Sequence, residues 1–268
     1  MTIEELLDRF QKAAVARGLR PKSIRWIVSS LRRIARDCGV RRVGDLTPAR
    51  IQHWVSECKL KPVSLNSALR TAAVVFSRQS LQSMGLVRVK NPFKEVVRPK
   101  VDREGFVAPP REWISELMRQ GIGELKGDAR MGFVLALGCG LRWGEIVSLV
   151  WENVLPEGVR LLASLAKGRR SRIVPVGDPV REVLESSRGT GPVIKSNPKL
   201  VHQELCSWLR GKGVKDSKPI HYLRKCFGSL AVADHGIFIA SKLLGHADIG
   251  LTAKTYAGQV DKLPAVRF

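Results

Sequence analysis

The chain has 268 residues, 44% of them hydrophobic, which suits one large domain or two small ones and excludes wholesale disorder. It carries 46 Lys and Arg against 24 Asp and Glu, a formal net charge of +22 at pH 7, and a surplus of that size calls for a polyanionic partner. Five widely spaced cysteines without a CxxC pair argue against a zinc site or a disulfide framework, the acidic start MTIEELLDRF is no signal peptide, and no apolar run nears the roughly 20 residues of a membrane span; a soluble cytoplasmic protein with no membrane partner is expected.

Thr2 followed by Glu5 forms a capping box and starts a helix through Leu6, Leu7, Phe10 and Ala14, which Gly18 ends. Pro21 opens a second helix with apolar positions Ile24, Ile27, Val28, Leu31, Ile34 and Ala35, leaving Arg25, Arg32, Arg33 and Arg36 on the rest of its surface as candidate DNA contacts. Thr47-Pro48 starts a third helix, through Ile51, Trp54 and Val55, and residues 62–84 read as one long fourth helix ending at Gly85. Residues 1–100 hold 21 Lys and Arg against 7 Asp and Glu, whereas residues 101–268 hold 25 against 17, so this four-helix unit, placed at 1–90, is the more basic part. The stretch 91–110, with four prolines and little periodicity, reads as an interdomain linker. The second unit, 111–268, is mostly helical except for 157–176, where two short apolar runs flank a basic turn and predict a β-hairpin.

Four segments of the second unit carry candidate chemistry. In GCGLRWGEIVSLVW (138–151) the glycines lead into a helix with Arg142 in its first turns, where a helix N-terminus helps an arginine hold an anion; taken alone, the segment reads first as an ordinary helix start with an exposed Arg. The hairpin carries Lys167, Arg169, Arg170 and Arg172 at or near its tip, either reaching into a DNA groove or forming a solvated basic loop. In HYLRKCFGSLAV (221–232) His221 and Arg224 stand three apart and share a helix face, so a planar guanidinium fork and a proton relay can serve one phosphate. In LLGHADIGLTAKTYAG (243–258) Tyr256 follows His246 by ten residues, and Tyr222 is the only other phenol in the chain.

The order Arg, Lys, His-x-x-Arg, His, Tyr, with LGH ten residues before the tyrosine and HxLR twenty-five before that histidine, resembles the tyrosine recombinases, or lambda-integrase family. GLRWGEIVSL looks like that family's first box, and the basic helical unit resembles its core-binding (SAM-like) domain. The resemblance implies a mainly α fold with a small β-hairpin or sheet in the catalytic domain, built as a two-domain C-shaped DNA clamp. It implies that Tyr256 attacks the scissile phosphate, Arg142 and Arg224 hold its non-bridging oxygens, Lys167 protonates the leaving 5′-oxygen, His221 assists proton transfer, His246 hydrogen-bonds the phosphate and Glu145 steadies this shell. Lys225 after Arg224, and Trp143 and Gly144 after Arg142, depart from the commoner family residues without touching those positions. It further implies a double-stranded DNA recombination site as partner, a tetramer on paired sites, no metal or other cofactor, and a prokaryotic, viral or mobile-element origin. With the helical unit opening the sequence, no arm-site domain and simple recombination sites are expected.

A free phenol has a pKa of about 10 and is a poor nucleophile at neutral pH, so this chemistry needs cations fixed around the phosphate before reaction. A phosphotyrosine bond retains the energy of the broken phosphodiester, so resealing needs no ATP. A relaxing topoisomerase of the type IB kind shares the chemistry but acts without paired sites. A non-catalytic DNA-binding regulator would leave the constellation accidental, and a covalent-trapping assay separates it from an enzyme.

Overall fold

A computed structural model describes residues 1–101, 106–162, 171–246 and 248–256. The chain forms two compact units, Met1–Arg103 and Glu104–Phe268, each with its own core. Among the described residues it is mostly helical, with one three-stranded sheet in the second unit.

The first unit holds α1 (Ile3–Ala16), α2 (Pro21–Asp37), α3 (Pro48–Glu57), α4 (Pro62–Ala73) and α5 (Arg78–Ser83). The capping box forms as predicted: the Glu5 amide donates to Thr2 Oγ1 and the Thr2 amide to Glu5 Oε2. α2 is the central helix; Ile24, Ile27, Val28, Leu31, Ile34 and Ala35 are buried, and it packs against α1, α3 and α4. The predicted fourth helix is instead two. Its register breaks at residues 74–77, where Val75 and Phe76 turn into the core and the Ser77 hydroxyl accepts from the Ser80 amide to start α5. The expected linker is also shorter at its N-terminal end. Phe93 and Val96 are buried in the first core, with the Phe93 ring 5.8 Å from that of Phe76, and the Pro99 carbonyl accepts from Asn66 Nδ2 at 2.8 Å.

The second unit is arranged around α7 (Gly127–Gly138), which is apolar on every side because α6 (Arg111–Glu124), α9 (Asp178–Ser186), α10 (Pro198–Gly211) and α11 (Pro219–Leu244) surround it. Between α7 and α9 lie the short α8 (Trp143–Val147) and the antiparallel strands β1 (Val154–Leu155), β2 (Gly158–Leu161) and β3 (Arg172–Val174) in the order β1-β2-β3. Two strands were predicted; β1 is the third. Val159 faces Val174 and Leu161 faces Arg172, so these four residues share the inward face of the sheet while Arg160 and Ile173 point outward. The hairpin tip with Lys167, Arg169 and Arg170 lies outside the described residues.

α11 is 26 residues long and, by length and composition alone, apolar enough to cross a membrane, contrary to the sequence expectation. It is a core helix. Ile220, Leu223, Cys226 and Ala231 pack into the second unit, and the helix is broken at Gly236 (φ 75°, ψ 169°), a conformation open to glycine. α12 (Ile249–Tyr256) follows a short turn.

Candidate active site

Glu145 is the pivot. Its carboxylate is 2% exposed and accepts from the Arg142 amide at 2.9 Å, from Arg142 Nη1 at 2.8 Å and from Arg172 Nη2 at 2.9 Å, and Arg224 Nη1 lies 3.9 Å away. Burial alone would raise its pKa, but Arg172 and then Arg142 outweigh it and hold the carboxyl below its usual value, so it stays ionised. Arg142, expected in the first turns of a helix, is the N-cap of the five-residue α8, and Glu145 closes that cap from its third position.

Arg224 is 2% exposed and donates to the Gly140 carbonyl at 2.5 Å and the Leu244 carbonyl at 2.6 Å. Leu244 is twenty residues further along the same helix. A straight helix would separate the two by about 30 Å, beyond any side chain. The break at Gly236 folds the second segment back and makes the contact possible. Burial, and then Arg142, pull the Arg224 guanidinium down to about 9, against the opposing pull of Glu145. Three guanidiniums around one carboxylate leave an uncompensated positive surplus in a mostly buried site, which an anion would neutralise.

His221 and Arg224 both lie in the first segment of α11, as their spacing predicted. The His221 pKa is lowered by burial and then by Arg224, and His246 is held down to about 4 by burial and then Arg224, Arg142 and Arg172. Both imidazoles are therefore neutral near pH 7. His246 Nδ1 lies 2.7 Å from the hydroxyl of the fully buried Thr252, which fixes the ring.

Tyr256, on the last turn of α12, is 3% exposed, its ring edge-on to Phe106 at 6.2 Å. Its hydroxyl lies against Gly228, where any side chain would collide with it. Burial pushes the phenol up to about 12, although Arg224 draws it down. Tyr222 packs edge-on to Phe106 and Trp113 instead.

The structure thus brings together Arg142, Glu145, His221, Arg224 and His246, with Tyr256 buried beside Gly228 on α11; Lys167 lies outside the described residues. Arg172 requires correction. It was expected among the DNA contacts of a basic tip, but its side chain is 8% exposed and bonds Glu145 and the Leu243 carbonyl. Strand alternation from Val174 and Val176, both buried, is the sequence signal that would have placed it inward. Thr252 and Phe106 were missed as well; a lone Thr and a linker Phe carry no pattern of their own. Among the described residues no group of three His, Cys, Asp or Glu stands ready for a metal.

Residues 115–262 match the Phage integrase family. The chain belongs to that family. Two curated relatives are named tyrosine recombinases: tyrosine recombinase XerC of Agrobacterium fabrum is 26% identical over 84% of this chain and 77% of its own length, and a tyrosine recombinase of Pseudothermotoga lettingae is 24% identical over 81% and 80%. The fold is that of a lambda integrase dimer bound to a COC′ core site (TM-score 0.74, 17% identity, 100% of this chain and 80% of that one) and of the Tn1549 transposon integrase in complex with transposon right end DNA (TM-score 0.66, 17% identity, 96% and 95%). A lambda integrase tetramer bound to a Holliday junction is also similar (TM-score 0.70, 18% identity, 92% and 78%). This chain is a tyrosine recombinase of the integrase family, an enzyme of site-specific DNA recombination.

Proposed function

We propose that this recombinase cleaves and rejoins duplex DNA through a 3′-phosphotyrosine bond to Tyr256. The observation that carries the reading is the Glu145-centred cluster: its arginines and two neutral histidines surround one small region, and their unbalanced positive charge suits a phosphodiester. Arg142 and Arg224 hold the non-bridging oxygens of the scissile phosphate, and His246, fixed by Thr252, donates a further hydrogen bond. Tyr256 Oη attacks phosphorus and gives up its proton with His221 assisting, because a phenol held at about 12 is not ionised beforehand. The P–O5′ bond breaks, and Lys167 protonates the leaving 5′-oxygen. Attack by a second 5′-hydroxyl reverses these steps and joins a new strand. The guanidiniums supply the positive charge for both steps, so neither metal nor ATP is required.

The basic first unit, Met1–Arg103, is the core-binding domain, with Arg25, Arg32, Arg33 and Arg36 of α2, and Arg169 and Arg170 of the hairpin tip, as phosphate contacts. Recombination proceeds in a tetramer on paired sites, the assembly seen for lambda integrase on a Holliday junction.

The test is incubation with a nicked suicide substrate from the native locus, without metal or ATP. Wild type forms a protein–DNA adduct on a denaturing gel and Tyr256→Phe does not. Tight binding of this DNA with no adduct from wild type overturns the reading.

A further inference from the structure

The side chain least explained by this chemistry is Arg172. It enters from β3 on the inward face of the sheet, yet it is spent on two other elements. Nη2 and Nη1 donate to Glu145 Oε2 and Oε1 at 2.9 and 3.4 Å, and Nε donates to the Leu243 carbonyl at 2.9 Å. Leu243 and Leu244 are the last residues of α11, whose final carbonyls lack helical partners and carry the negative end of the helix dipole. Arg172 takes the first and Arg224 the second. His246 comes two residues after Leu244. The glycine between them has φ +62°, and a Cβ there would stand 2.5 Å from Arg172 Nη1, so this turn and this guanidinium are fitted to each other.

Resting on the reading of the site as a phosphodiester-cleaving centre, we propose that Arg172 is a positioning residue that locks the Arg142–Glu145 pair to the turn carrying His246. It does not contact DNA. It joins the sheet, the first box and the LGH turn at one point, so the groups on either side of the phosphate are set together. Lysine cannot replace it, because one ammonium on a flexible stem cannot hold a planar carboxylate and a carbonyl in fixed directions.

The test uses the full chain and the suicide substrate, with Arg172→Lys and Arg172→Gln compared with wild type. Adduct formation by wild type tests the proposed function; the ratio of variant to wild type tests this inference alone. In a Tyr256→Phe background, Arg172→Gln should bind DNA within about threefold of Tyr256→Phe alone with the same dependence of log affinity on log salt. Loss of a phosphate contact would flatten that slope by about one and would overturn the proposal. Single-turnover cleavage by Arg172→Lys should fall on the order of 10- to 100-fold, the range for partners that orient reacting groups, while its melting transition stays cooperative. Cleavage at the wild-type rate, or a rate loss matched by loss of folded protein, counts against it. If Arg172→Gln does not fold, Arg172→Lys combined with Glu145→Gln decides. Losses smaller together than the product of the two singles support a shared network, and independent losses overturn it.

Discussion

The two units use arginine in opposite ways. On α2 of the first unit the guanidiniums lie in solvent: Arg32 reaches Glu4 with a side chain 53% exposed, and Arg33 and Arg36 share Asp37. In the second unit the side chains of Arg172 and Arg224 are 8% and 3% exposed, and that of Arg142 28%, around one carboxylate. An exposed pair contributes little to stability and is screened by salt, so the first unit can release its cations to a DNA backbone at small cost. Buried guanidiniums are already desolvated and aimed, so they need no reorganisation when charge develops on a phosphate. Under the proposed function, the contrast separates attraction from catalysis.

Removing Arg224 should break it most severely. Arg224→Ala leaves the Gly140 and Leu244 carbonyls without their donor and takes a guanidinium from the phosphate; adduct formation should fall by about 10²–10³-fold or more in single-turnover assays. Glu145→Ala should be next. It leaves buried like charges unpaired and should lower stability by about 3–5 kcal/mol in denaturant melts, with cleavage lost as well. Phe93→Ala should have a cost of the same order, about 3 kcal/mol, in the first unit only, weakening DNA binding through unfolding and leaving the site geometry intact.

A smaller effect comes from pH. His221 and His246 have depressed pKa values through burial and then neighbouring cations, so both are neutral at pH 7. A bound phosphate offsets those cations and raises both values back towards the ordinary histidine value of about 6.5, so binding takes up protons and tightens as pH falls below that value. Calorimetry on DNA with a neutral methylphosphonate at the scissile position should show this dependence disappear. The smallest effect belongs to the surface. Arg25→Ala should lower affinity less than tenfold and reduce the salt slope by about one, with the cleavage rate of bound DNA unchanged.

Much of this was legible in the chain. The capping box of α1, the apolar face of α2, the shared helix of His221 and Arg224, and the LGH-to-Tyr spacing are local patterns, because capping and helical periodicity act over a few residues. The break after Ala73, the packing of Phe93 and Val96 on the first core and the β1 strand were not, since each depends on a partner distant in sequence or too short to show a period.

By itself, then, the sequence determined which residue types were available, where the helices lie, and the order of groups that marks a tyrosine recombinase. Only the tertiary structure decided which arginines work as site and which as surface. Arg172 and Arg32 look alike in a basic run. One sits on the inward side of a strand and meets a carboxylate from another element; the other faces water. Likewise nothing local says that Arg224 will cap the end of its own helix, because that requires the chain to reverse at Gly236. Burial and long-range pairing give these groups their function, and both are properties of the packed chain.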